Sequence, residues 1–345
     1  MKTKRTALKT DLFAQVHQQD KLNQLGDPLQ VIAQHIDFDA LAQSIESYVD
    51  YGDQAKGGRP PYPLDVMVRI LVLKHLYNHS DEQMEYQLLD RMSYKRFCGL
   101  ADALTIPDRT TIWSFENRLG EAGANQLFKT LDGQLQRQGY IARGGQIIDA
   151  TLIPAPKQKL NKEEKALVKQ KATPIDWSPA KRQQKDTDAT WTQKHGKTTF
   201  GYKLTVNVDN QHKFIRQFHA DTAAPHDTNH FEAVLDCNTS QDIYADSGYS
   251  SQAREQQLKQ QNHRVHIQRK GKRNKPLSAA QQKRNNRIAK VRARVEHSFA
   301  SMTHMGGKFI RTIGQARANF KMAMMVLCHN IKRLSYLENC LSQAS

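Results

Sequence analysis

Paired cysteines are missing from this 345-residue sequence: Cys98, Cys237, Cys328 and Cys340 lie far apart, with no CxxC spacing. That excludes a disulfide-stapled scaffold and a cysteine-built zinc module, and leaves free thiols of the buried kind. Missing too is any apolar run near the roughly 20 residues a membrane span requires. The opening stretch MKTKRTALKTDLF has no apolar core of a secretion signal, so a cytoplasmic protein is expected. Hydrophobic residues make up 38% of the chain, modest but enough for one large core or two domains. Acid is scarce in the last part of the chain. Residues 251–345 hold twenty Lys and Arg against three carboxylates.

What is present is positive charge. The chain carries a net charge of +17 and a pI near 9.7, a balance that suits a polyanionic partner. The basic residues crowd around a few isolated acids, and a nucleic-acid backbone is the partner such a layout fits.

The stretch GGQIIDATLIP (144–154) reads as a central β-strand after a Gly-Gly break, with Asp149 in its middle. A buried strand carboxylate is costly unless something pairs with it. A second apolar run, DIYADSGY (242–249), delivers Asp246 at its end. Glu296, in KVRARVEHSFA, is the only acid between Glu255 and Glu338. Two strand-borne aspartates and one helix-borne glutamate make a set able to hold two divalent ions.

The first 25 residues are polar and read as loosely ordered. Asp27-Pro28 is a helix start, with apolar positions continuing through Tyr48. GGRPPYP (57–63) is a rigid connector, and LDVMVRILVLKHLYNHS a central core helix. Ser80 caps the next helix, a short one follows from Ser93, and a third begins near Asp108. These three resemble a helix-turn-helix arrangement with Arg109, Thr110, Thr111, Trp113 and Ser114 at its front; a plain supporting bundle fits equally. A long amphipathic helix (about 121–138) leads to the first strand. Residues 157–197 form a polar, proline-punctuated excursion expected to be partly disordered without a ligand. A hairpin follows at 200–220, then a helix capped by Asp227 or Thr228; His226 and His230 there fit cap and helix-face roles better than a metal pair. The Asp246 strand, a helix, a short strand at 265–268, a basic loop, the Glu296 helix and a last amphipathic helix complete the chain. Its expected class is α/β: an all-α domain over 1–140 for DNA binding or dimerisation, then an RNase H-like mixed sheet over 141–345.

At this point the sequence resembles a family. GRPPYPLDVMVRILVLKHLYNHSDEQMEYQLLDRMSYKRFCGL, IPDRTTIWSFENRL, IIDATLI, FGYKLTVNVD, YADSGY and RARVEHSFA are together similar to DDE transposases of bacterial insertion sequences, of the insertion-sequence family 5 type. The resemblance implies a nucleoid-associated enzyme that cuts the ends of its mobile element and joins the 3′ hydroxyls to target DNA. It implies Asp149, Asp246 and Glu296 as the catalytic, metal-holding triad, with two Mg²⁺ ions (Mn²⁺ able to substitute). Related enzymes space a tyrosine, arginine and lysine around the glutamate as Y-x2-R-x3-E-x6-K. Arg292 and Glu296 fit, but Ala289 and Thr303 stand at the other two positions, and Lys308 in GGKFIR is the stand-in lysine.

Carboxylate oxygens are hard ligands suited to Mg²⁺, and two such ions flank an in-line displacement at phosphorus. Arg292, one turn before Glu296, can clamp a phosphate, or else form an i,i−4 ion pair with that glutamate. DNA contacts are expected at Arg109, Thr110, Arg269, Lys270, Lys272, Arg273, Arg292 and Lys308, with double-stranded DNA (terminal repeats and target) and further copies of the chain as partners. A nuclease of the same fold without strand transfer, or a domesticated DNA-binding protein, are the competing classes.

Overall fold

The computed structural model describes residues 11–49, 51, 60–157, 159–170, 172–194, 196–236, 241–271 and 275–344. Gly57, Gly58 and Arg59 of the expected connector, Cys237, and Lys272 and Arg273 of the basic loop lie outside them.

The first described turns are helical rather than loose: α1 spans Ala14–Leu25, with no buried residue. Asp27 starts the packed part, its carboxylate accepting the Leu29 N–H at 3.0 Å ahead of α2 (Pro28–His35). The single helix expected through Tyr48 is broken, because Asp37 acts as a second cap, accepting from Ala40 N–H and opening α3 (Phe38–Ser44). In α4 (Leu64–Leu76) every residue from Val66 to His75 except Arg69 is buried. A helix apolar nearly all round belongs in the middle of a core, and each of its fully buried aliphatic side chains contributes about 1.5–3 kcal/mol. Ser80 and Gln83 form a reciprocal capping box on α5 (Asp81–Asp90). After α6 (Met92–Phe97), Asp108 caps α7 (Arg109–Arg137). The two helices expected from the sequence here run on end to end, and their junction is Gly120, at φ 56° and ψ −172°.

The sheet follows. β1 (Gln146–Pro154) is its centre, flanked by antiparallel β3 (Lys197–Asp209) and parallel β5 (Asp242–Ala245). β6 (Arg264–Ile267) extends the parallel side. β2 (Thr190–Lys194) and β4 (Ile215–Thr222) share the far edge of β3, both antiparallel to it. The result is a mixed sheet in a mixed α/β chain. Within the excursion, α8 (Lys162–Lys169) and α9 (Pro179–Gln184) carry side-chain caps. Trp177 is buried, with its indole N–H donated to Glu164 at 2.8 Å.

α10 (Gln252–Gln260) and a layer of short 3₁₀ turns at 227–234 cover one sheet face, around Ile148, Phe231, Val234 and Tyr249. On the other side lie α7, α11 (Ala279–Met302) and α12 (Gln315–Ala344). α12 packs on α2, α4, α7 and β4 together, so the larger core is continuous from Leu29 to Leu334. A buried arginine stitches the layers: Arg216 on β4 pairs with Asp132 of α7 at 2.8 Å and Asp209 of β3 at 3.4 Å, and donates to the Tyr140 carbonyl. Of the described cysteines, Cys98 and Cys328 are buried free thiols, whereas Cys340 is exposed. No described helix is long and apolar enough to cross a membrane.

Candidate active site

Gly144 and Gly145, both at positive φ, release the chain into β1. A Cβ at Gly145 would stand 2.6 Å from the Tyr244 ring, so the turn has room for hydrogen alone. Ile147 pairs with Tyr244 on the parallel neighbour β5. Two residues further on stand Asp149, within β1, and Asp246, just past the end of β5. The sequence thus brings the two aspartates side by side through strand register.

Asp149 does not face water. Its Oδ2 accepts from Arg292 Nη2 at 2.7 Å, and its Oδ1 accepts the Ala150 N–H at 2.9 Å. Arg292 comes from α11, which a Ser278–Gln281 capping box opens and which lies against β1 and β5. The other guanidinium nitrogen, Nη1, donates to Gln268 Oε1 at 2.9 Å. The arginine is therefore paired across the fold, not with Glu296 on its own helix. Burial raises the Asp149 proton affinity above the ordinary carboxylate range; Arg292 and the Ala150 N–H pull it down, and the Asp246 charge pushes it up.

Asp246 caps the turn Ser247–Tyr249, accepting the Gly248 N–H. A Cβ at Gly248 would sit 2.8 Å from Asp246 Oδ1, so the tight approach asks for glycine. Tyr249 is buried beneath, and burial with the charges of Asp149, Asp227 and Asp246 raises its phenol's proton affinity. Two donors here have no partner among the described residues: Arg292 Nε and the Tyr249 hydroxyl. Unpaired buried donors are uncommon, and beside two carboxylates they mark a place prepared for an oxygen-rich ligand.

Glu296 lies one turn beyond Arg292, exposed, with no hydrogen bond or ion pair among the described residues. Arg109 is exposed but paired with Glu82 at 2.6 Å, its backbone N–H held by Glu85. Thr110 and Lys270 are exposed. Arg269 makes two hydrogen bonds to Glu255, at 2.8 and 3.1 Å. Lys308 is exposed on the rim of a cleft of about 710 Å³ whose lining includes Trp113, Glu116, Arg311 and Lys321.

Comparison with known proteins shows the family. Residues 142–331, more than half of the chain, match the transposase DDE domain, and residues 17–118 match the transposase domain DUF772. The chain belongs to the DDE transposase family. Enzymes of this family use divalent metal ions. A solved cryo-EM structure, a piggyBac transposase synaptic complex with hairpin DNA, superposes with a TM-score of 0.46. It is 12% identical over 92% of this chain and 76% of that one, a likeness too remote to bear on fold or function.

Two features of this DDE transposase were not singled out from its sequence. Tyr249 was legible only as the last residue of YADSGY, with nothing to tell its buried hydroxyl from a core aromatic's. Gln268 was hidden in the basic run that follows β6. His226, rather than Asp227 or Thr228, caps the turn Asp227–His230, its Nδ1 accepting the Thr228 N–H at 3.3 Å. Asp227 pairs instead with Lys203 at 2.7 Å and Lys194 at 3.4 Å.

Proposed function

We propose that this transposase, of the bacterial insertion-sequence family 5 type, binds the terminal inverted repeats of its element, cuts the DNA ends and joins the freed 3′ hydroxyls to target DNA. Asp149, Asp246 and Glu296 are its metal ligands. The observation that carries the reading is the pair of neighbouring aspartates, Asp149 in β1 held by Arg292 and Asp246 at the end of β5, with two unpaired donors close by. The residues fit divalent ions: all three are hard carboxylate donors. The push of the Asp246 charge on Asp149 is what an added cation would relieve. When bound, the ions activate an attacking oxygen and steady a leaving one.

The chain's own groups do the rest. Asp149 must shed its proton before it can serve as a ligand, and Arg292 favours that. With a cation held by Asp149, Arg292 would no longer be needed there as counter-charge, and its guanidinium could hold a phosphate oxygen through Nη2 and the unpaired Nε. The Tyr249 hydroxyl, close enough to feel the charges of Asp149, Asp246 and Arg292, supplies a further unpaired donor. The sheet order β4-β3-β1-β5-β6, antiparallel on one side of β1 and parallel on the other, supports an RNase H-like catalytic domain over 141–345. Residues 1–140 are then the DNA-binding or dimerisation domain of an enzyme that works as a homo-oligomer on DNA, in the bacterial nucleoid.

The test uses Asp149→Asn, Asp246→Asn and Glu296→Gln, each a near-isosteric loss of charge. Each should reduce Mg²⁺-dependent end cleavage by at least about a hundredfold, with gel-shift affinity for terminal-repeat DNA within a fewfold of wild type. A variant that cleaves normally removes its residue from the triad. Wild-type protein that nicks DNA but never joins pre-cut ends is a nuclease, and the transposition reading fails.

A further inference from the structure

A second cluster of ligating groups lies on the opposite side of the sheet from Asp149. In the register, Asp149 pairs with Val206, whereas His219 pairs with Thr205 and Asp221 with Lys203. Side chains alternate along a strand, so His219 and Asp221 share the face that Asp149 avoids. His230 comes down on them from the 3₁₀ turn Asp227–His230. One ligand atom from each of His219, Asp221 and His230 lies within 4.8 Å of the other two.

The surroundings orient these groups as a ligand set is oriented. His230 is buried, and its Nδ1 stands 3.3 Å from the Thr205 hydroxyl, which leaves Nε2 to face Asp221 Oδ2 at 3.0 Å. Asp221 Oδ1 is occupied by the Thr222 N–H at 2.6 Å and the Gln315 amide at 3.3 Å, which turns Oδ2 inward. A histidine fixed through its far nitrogen, beside a carboxylate fixed through its far oxygen, is the support that metal ligands need. Burial and the neighbouring His219 keep the His230 ring inclined to its neutral, ligating form, against the pull of Asp221. The Lys203 ammonium is near but engaged, by Asp227 and the Pro225 carbonyl.

We propose that His219, Asp221 and His230 bind one borderline divalent transition-metal ion of the zinc class, separate from the Mg²⁺-type triad. Two imidazoles and one carboxylate suit zinc and leave one position for water, whereas Mg²⁺ prefers an all-oxygen shell. Nε2 of neutral His230 and Oδ2 of Asp221 would each give a lone pair to the ion, the one imidazole proton lying on Nδ1 toward the Thr205 hydroxyl. Its role is to fasten. The 227–230 turn touches the Asp246 loop through the Thr228 hydroxyl and the Gly248 carbonyl, 3.4 Å apart, and Arg254 ties Thr228 to Glu232. An ion joining β4 to this turn stiffens the buttress behind Asp246.

The experiment is cobalt substitution of full-length, chelator-stripped protein. Co²⁺ should give visible absorption of a four-coordinate site, saturating at one ion per chain, and Zn²⁺ should displace it and raise the melting temperature. His219→Ala should weaken Co²⁺ affinity by about ten- to a hundredfold or more. The double variant Asp149→Asn/Asp246→Asn should keep the signal. Absence of any Co²⁺ band or Zn²⁺ melting shift in wild-type protein overturns the proposal, whatever the variants do. So does a band that survives His219→Ala or vanishes with the aspartate pair. Because these readouts need no DNA, they stand or fall independently of transposition.

Discussion

Replacing Arg292 by alanine should be felt first in Asp149. The change deletes a 2.7 Å bond to the carboxylate and a 2.9 Å bond to Gln268. The side chains of the pair are 17% and 19% exposed, so the loss sits below the roughly 3–5 kcal/mol of a fully buried pair. About 1.5–3 kcal/mol, the usual worth of a hydrogen bond to a charged group, is the expected cost. At an unfolding entropy of about 2.1 cal/mol/K per residue, this lowers the melting temperature by about 2–4 °C. The loss should depend on pH with a definite sign. The Asp149 proton affinity is raised in the folded state even with Arg292 present. The native state therefore holds that proton more tightly than the unfolded chain, which favours folding below the ordinary carboxylate range and ceases to as pH rises through the raised value. Without the arginine the raised value moves higher still. Arg292→Ala should then melt close to wild type near pH 4, fall behind toward pH 7, and recover part of the gap when Mg²⁺ is added. In an Asp149→Asn background the same change should cost little. Melting curves of the four proteins across pH test this. A gap that ignores pH, or that persists undiminished in the Asp149→Asn background, would refute the coupling.

Two further outcomes follow from the same structure. Arg216→Met strands Asp132 and Asp209 in the core and should cost about 3–5 kcal/mol in urea unfolding; a cost under about 1 kcal/mol would mean that the pair contributes nothing net. Replacing Lys270, Lys272 and Arg273 with glutamine should flatten the salt dependence of DNA affinity by up to about 0.9 log units for each phosphate no longer neutralised. Adding Arg269→Gln should change the slope little, because Glu255 already holds that guanidinium; a further full unit would show that it reaches DNA.

Where order is local, the sequence was readable. β1 announces itself by a Gly-Gly break and a β-branched run, and α5 by Ser80 with Gln83 three residues on. The break between α2 and α3 was not, because apolar spacing continues through Ile36 and Phe38 while Asp37 passes for a surface residue. Residues 157–197 have too little apolar content to suggest order. What they do form rests on side-chain caps and on one buried indole, Trp177, whose partner Glu164 no periodicity reveals. Arg216 gives no signal in KFIRQF, since its meaning lies in Asp132, 84 residues earlier. Of the expected site, Asp149 and Arg292 are in contact and Asp246 is next in register, but the contact itself joins residues 143 apart. Spacing offered Arg292 a phosphate or Glu296 as its partner; tertiary packing gives it Asp149.

The last helix has a consequence for how the protein is made. α2, α4 and α7 emerge early from the ribosome, yet the apolar surface they share is covered by α12, whose first residue, Gln315, follows the end of α7 at Arg137 by 178 positions. At about 5–20 residues per second, the nascent bundle waits roughly ten to thirty-five seconds with that groove open. Asp149, Asp246 and Glu296 are all synthesised within the wait. A polypeptide stalled before α12 would thus carry every acidic residue of the candidate site on an unfinished body, sticky toward chaperones and other nascent chains.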